Sequence, residues 1–107
     1  MFLNNKKVTK KLFDQIMREG VCFYGTFFTF RVIINKNNPK YAIVAPKSVA
    51  KTAVDRNKLK RVGYSALRGF GIKNSQGILF YKKNNLKIPF VEIKKDINFL
   101  LNKAKLI

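Results

Sequence analysis

The sequence has no histidine, no tryptophan, one cysteine, three prolines and only five acidic residues in 107. Without histidine there are no imidazole general bases, Cys–His pairs, Ser–His–Asp triads or common zinc donor sets. The acids, Asp14, Glu19, Asp55, Glu92 and Asp96, do not cluster as a metal site or a glycosidase pair would require. Neither a catalytic side chain nor a protein-held metal is expected. Cys22 stands alone, which excludes an internal disulfide and suits a reducing cytoplasm. It reads as a half-buried strand thiol rather than a reactive one. No apolar run approaches the roughly 18 residues that would span a bilayer. The opening residues Met1 to Val8 lack the apolar stretch of a signal peptide, so none is expected.

What is present is positive charge and phenylalanine. Twenty-three basic residues give a net charge of +18, and ten phenylalanines contribute to a 47% apolar content. The apolar share is enough to offset the entropy of ordering the chain, so a folded domain is expected rather than disorder. The length predicts one domain, over 1–107. Self-repulsion at +18 is relieved by a polyanion; nucleic acid comes first, an anionic membrane surface second.

Leu12, Phe13, Ile16 and Met17 recur at helical spacing between Thr9 and Gly20, a fair N-cap and a fair stop. Val21 to Ile34 is aromatic and β-branched and reads as strand, bent at Gly25. Phe28, Phe30 and Val32 share one face; Phe27, Thr29, Arg31 and Ile33 share the other. Residues 35–39 read as a turn, and Tyr41 to Ala45 returns as the second arm of a hairpin, ended by Pro46. A helix is predicted from Thr52 to Gly69, with Leu59, Val62 and Ala66 inward; a strand follows at Gly77 to Tyr81. Asn84-Asn85 reads as a turn. A last helix begins near Pro89, with Ile93, Ile97, Leu100, Leu101 and Ala104 as its core stripe. Glu92 near its start and Lys103 and Lys105 near its end suit the helix dipole.

The densest charge lies at 47–61, with six basic residues and one acid, Asp55. Phase analysis puts Lys47 to Lys51 in a loop and places Asn57, Arg61, Tyr64 and Arg68 on the helix face opposite the core, flanked by Lys58 and Lys60. Arginine can fork to phosphate oxygens, whereas lysine acts as a point charge. A solvated helix face would mix in acids. Lys6-Lys7 and Lys10-Lys11 add a basic arm. Most of the aromatics near the first strands read as core; a few could line a groove where unpaired bases stack. A basic helix beside an aromatic-lined sheet suits RNA with an unpaired segment better than duplex DNA.

Residues 46–68 resemble the signature of the bacterial ribonuclease P protein subunit, chiefly through Ala53-Val54-Asp55-Arg56-Asn57-Lys58-Leu59-Lys60-Arg61. The resemblance implies a single-domain α+β sandwich of order α-β-β-β-α-β-α, with a four-stranded sheet and a left-handed β-α-β crossover. It implies an accessory subunit of a 5′ tRNA-processing endoribonuclease, in which a catalytic RNA cuts precursor tRNA with Mg²⁺. Its partners would be that RNA and precursor tRNA, with no membrane or small-molecule substrate. The RNA-binding set would be Lys47, Lys51, Arg56, Asn57, Lys58, Lys60, Arg61, Tyr64 and Arg68. A cleft for the single-stranded 5′ leader would take Phe13, Met17, Thr29 and Arg31. A non-catalytic RNA-binding module, such as a ribosomal protein or RNA chaperone, is the alternative. The chain departs from the pattern at Tyr64-Ser65, where a basic-acidic pair is usual. Gly63 stands in place of a larger apolar residue, and Lys58 in place of arginine. In the loop, Lys47-Ser48-Val49-Ala50 lacks one cation and a glycine.

Overall fold

The computed structural model describes residues 8–37, 39–82 and 88–107. The first helix, α1 (Lys10–Glu19), starts where Thr9 accepts a hydrogen bond from the Leu12 amide at 3.2 Å, satisfying one of the helix's orphan N–H groups. It stops at Gly20, as the sequence suggested, with Gly20 extended (φ −71°) rather than left-handed. Glycine is needed there for space: a Cβ would lie 2.5 Å from the Ile16 carbonyl oxygen.

Two strands follow, β1 (Val21–Tyr24) and β2 (Phe28–Ile34), paired antiparallel with Val21 opposite Val32 and Tyr24 opposite Thr29. β3 (Lys40–Val44) does not form the expected hairpin with β2. Instead β4 (Ser75–Tyr81) lies between them, antiparallel to β2 and parallel to β3, for a sheet order β1-β2-β4-β3. The physical reason is burial. All of β4 except Phe80 is buried, so it needs covered neighbours on both edges and both faces. Short-range hairpin logic could not foresee an insertion from 31 residues further along the chain. Between β3 and β4 runs α2 (Ala53–Leu67), capped by the Thr52 side chain on the Asp55 amide at 3.1 Å. It ends two residues before Gly69. The last helix, α3 (Phe90–Lys103), has Glu92 in its first turn and Lys103 in its last, as predicted. The expected Asn84-Asn85 turn and the Lys6-Lys7 arm lie outside the described residues.

Strand alternation sorts the side chains into two layers. Phe28, Phe30, Val32, Tyr41, Ile43, Leu79 and Tyr81 pack against Leu59, Ala66 and Leu67 of α2 and Ile93, Ile97, Leu100 and Leu101 of α3. Phe28 and Tyr81 lie 4.4 Å apart by ring centroids, and Phe30 stacks on Tyr41 at 6.1 Å. The opposite face carries α1, which buries Ile16, with Ile78 buried on the sheet below. Each fully buried side chain of this size contributes about 1.5–3 kcal/mol.

Two features of the fold had no sequence signal. Asp96 of α3 is 6% exposed, and its carboxylate accepts three backbone hydrogen bonds from the β1–β2 bend: Thr26 at 2.8 Å, Phe27 at 2.9 Å and Phe28 at 3.1 Å. Gly25 makes the approach possible, because a Cβ there would meet both carboxylate oxygens at 2.7 Å. The second is the end of α3. Leu106 N–H bonds to the Leu101 carbonyl and Lys105 N–H to that of Asn102, the Schellman pattern, with Lys105 at φ 61° where glycine is usual.

Asp96→Asn should cost about 2–3 kcal/mol, because one carboxylate oxygen facing these donors becomes an NH₂. Urea melting would show this as a lower midpoint, and an unchanged midpoint would refute the bridging role. The buried tyrosines predict an alkaline limit. Burial pushes the Tyr41 hydroxyl up to about 12 against the opposing pull of its Ser75 hydrogen bond, and burial also raises that of Tyr81, which donates to the Leu59 carbonyl at 2.7 Å. The folded state thus holds its phenolic protons longer than the unfolded chain. Their contribution is complete below about pH 10 and is lost as pH rises toward about 12. Tyr41→Phe should flatten the fall in midpoint over that window.

Candidate nucleic-acid interface

α2 presents its charge because its inner face is fully engaged. Leu59, Gly63, Ala66 and Leu67 are buried, while Asn57, Lys58, Lys60, Arg61, Ser65 and Arg68 are exposed. Among the described residues the sole ion pair is Lys95 with Glu92, at 3.6 Å on the surface of α3. No carboxylate therefore neutralises Lys58, Lys60, Arg61 or Arg68. Arg68 donates to the Ser65 hydroxyl at 3.3 Å.

Tyr64 differs from its predicted place on this ridge. It is half-buried against the core, and its hydroxyl accepts the Ile43 N–H of β3 at 3.2 Å. β3 is an edge strand, so this bond covers a donor that would otherwise be unpaired within the sheet. Gly63, one residue before, lets α2 approach β3 closely. A Cβ there would stand 3.0–3.2 Å from three side-chain atoms of Ile43. Both departures from the family pattern thus belong to one tight helix-to-edge contact.

Arg56 also has a task inside the fold. Its Nη1 donates to the carbonyls of Ala50 at 3.1 Å and Lys51 at 2.9 Å. The loop it grips contains buried Val49 and Ala50, whose amides both bond to the Pro46 carbonyl. Lys47 and Lys51 are left exposed on either side. One arginine therefore fixes the loop's shape while its neighbours face solvent.

The four predicted cleft residues come together on the α1 face of the sheet. Phe13 meets Phe80 edge-to-face at 6.1 Å. Phe80 is the cross-strand partner of Thr29 on one side and Val44 on the other. Arg31, opposite Ile78, donates to the Met17 carbonyl at 2.9 Å and so ties the end of α1 to β2. Met17 itself is 37% exposed. Beyond α1 the same sheet face continues with Lys40, Ala42 and Val44 of β3, none of them fully buried. The loop carrying Lys47 starts two residues after Val44, so the Phe13–Phe80 end of this groove leads into the basic loop and ridge. Phe80 is a lining residue that the sequence reading missed; the alternation of β4 was the available signal. On β1, the Tyr24 hydroxyl is raised above its ordinary value, first by its hydrogen bond with Cys22 and then by that group's charge, with Arg31 pulling the other way. Among the described residues, no three His, Cys, Asp or Glu side chains lie close enough to share a metal ion, and no helix is long and apolar enough to cross a membrane.

This is the architecture of a small α+β domain with a cationic crossover helix on one side of a four-stranded sheet and an aromatic groove on the other. The chain belongs to the ribonuclease P family, whose model (Ribonuclease P) matches residues 4–105. Solved structures agree on the fold. A Staphylococcus aureus RNase P protein mutant described as defective in mRNA degradation superposes with a TM-score of 0.82 at 20% identity, over 95% of this chain and 90% of that one. The Thermotoga maritima RNase P protein gives 0.74 at 23% identity, over 85% and 89%. A search of curated proteins finds no match.

Arg56→Ala should loosen the loop by about 1–2 kcal/mol, the worth of two hydrogen bonds from a charged donor at a partly exposed site. Amide hydrogen exchange at Val49 and Ala50 should then quicken by roughly tenfold. Exchange at the wild-type rate would show that Arg56 does not hold the loop.

Proposed function

We propose that this chain is the protein subunit of a ribonuclease P ribonucleoprotein. In this reading it docks on the catalytic RNA through α2 and its preceding loop and receives the 5′ leader of precursor tRNA in the groove beside α1. The observation that carries the reading is the uncompensated ridge of Lys58, Lys60, Arg61 and Arg68. Among the described residues no carboxylate neutralises it, which leaves it open to phosphates. Arg61 and Arg68 can fork to phosphate oxygens, while Lys47, Lys51, Lys58 and Lys60 add point charges and Asn57 an amide. Tyr64 and Arg56 act behind this surface, holding helix and loop in place.

The groove suits a single strand. The edge of the Phe13–Phe80 pair and the Met17 thioether are apolar surfaces on which unpaired bases can stack, each worth about 1–3 kcal/mol, while Arg31 offers charge to the backbone. Thr29 supplies a hydroxyl between them. Chemistry is left to the RNA. Mg²⁺ prefers hard oxygen ligands and keeps several waters, which phosphate-rich RNA provides and this chain's scattered acids do not. Holding the leader would orient the substrate, and positive charge would lower the Mg²⁺ needed to bring two RNAs together. The setting is the cytoplasm, in keeping with a single free cysteine.

The purified chain should not cut precursor tRNA, but should raise cleavage by the ribonuclease P RNA of the same genome at low Mg²⁺. Equal cleavage with and without the chain would end the proposal. Arg61→Ala should weaken RNA binding and reduce the slope of log affinity against log salt by roughly one. Phe13→Ala should keep RNA affinity and lose discrimination between long and short leaders; leader dependence that survives the change would count against the groove.

A further inference from the structure

A second aromatic surface lies on the far side of the molecule from the α1 groove. Phe90 opens α3 and is 46% exposed. Between it and α2 lies an open cavity of about 250 Å³, lined by Lys58, Arg61, Val62, Ser65 and Phe90. Val62 is half-buried and forms an apolar base; Lys58 and Arg61 stand exposed on the α2 side. Among the described residues neither cation has a hydrogen-bond or ion-pair partner. Two other rings already have a lysine over them: Lys94 stands 6.0 Å from the centroid of half-buried Phe70, and Lys103 5.4 Å from that of exposed Phe99. Among the described residues, no cation lies over Phe90.

We infer that this cavity binds one unpaired nucleobase of the RNA that docks on α2, with the base against Phe90 and Val62 and its flanking phosphates on Lys58 and Arg61. This rests on the docking of RNA proposed above and adds a base-binding site to what was a phosphate-binding ridge. The volume falls below the roughly 300–1,000 Å³ of ordinary small-molecule pockets and suits a single planar ring. Charge selects the occupant. A second copy of the chain would set +18 against +18, and an apolar protein segment would leave two cations facing nothing. A nucleotide offers a ring and a phosphate at adjacent positions, matching an aromatic wall with a cationic rim. Contact with a single splayed base also fits the way proteins read RNA, where paired segments hide their base edges.

The decisive comparison uses the whole chain and the ribonuclease P RNA of the same genome. Phe90→Ala should lower affinity by about 5- to 100-fold with the salt slope unchanged, because stacking releases no counterions. Phe90→Tyr should retain affinity, and Phe90→Leu, which keeps apolar bulk without a π face, should not. The chain has no tryptophan, so Phe90→Trp installs a single reporter whose emission a stacked base would quench. Wild-type affinity in Phe90→Ala together with unquenched Phe90→Trp would overturn the site. If Arg61→Ala at the same time weakens binding, ridge docking stands and only the base site falls; if Arg61→Ala too is silent, the docking itself is wrong. Should Phe90→Ala melt earlier than the parent chain, the Leu and Tyr variants decide between stacking and stability.

Discussion

β3 runs parallel to its neighbour β4, and two adjacent parallel strands cannot be joined by a tight turn. The chain must leave the end of β3, cross the sheet and return to the start of β4. The basic loop and ridge of the candidate site are carried by that crossing. The loop with Lys47 and Lys51 is its exit from β3, and α2 is its span. Because β4 is buried on both faces, α2 has to press its Leu59, Gly63, Ala66 and Leu67 side against the sheet, which fixes the opposite, basic side toward solvent. Placing β4 at the centre also puts Phe80 between Thr29 and Val44, creating the groove on the other face.

Charge is arranged so that the fold draws little on the cations. Asp96, one of five acids, binds three backbone amides rather than a lysine. Glu92 pairs on α3, away from α2. Cations that are used internally, such as Arg56 and Arg31, bind backbone carbonyls and so keep their positive charge. A molecule at +18 with such a layout is stable when its own contacts are backbone and apolar, and it gains further when a polyanion arrives.

Sequence reasoning succeeded where local rules suffice and failed where a partner comes from far along the chain. Thr9 as an N-cap, the start of α2 near Thr52, the alternation of Phe28, Phe30 and Val32, and the dipole-matched ends of α3 are all short-range facts. The family resemblance agreed with the strand–helix order read from the residues. The supposed β2–β3 hairpin was the main error, because pairing was inferred from proximity in sequence while β4 offered a better-covered edge. Tyr64 was placed by helical phase alone. Phase gives direction from the helix axis but not how close the β3 edge comes, and a long side chain with a polar tip reached Ile43. Arg56 was assigned to RNA binding through the family resemblance; the two carbonyls that hold it appear only once the loop is folded.

By itself the sequence determined that this is a basic, histidine-free chain of mixed helices and strands, with a cationic helix that few acids accompany. Those properties follow from composition and from periodicities of two and 3.6 residues, which depend on the backbone and not on distant partners. Tertiary structure alone decided which residues would be free to act. It withdrew Tyr64 and Arg56 into the framework and made Asp96 and Gly25 a joint between α3 and the sheet. It also brought Phe80 to Phe13 and Phe90 to Lys58 and Arg61. Each of these is a contact between segments whose distance is set by packing, and packing is a property of the whole chain.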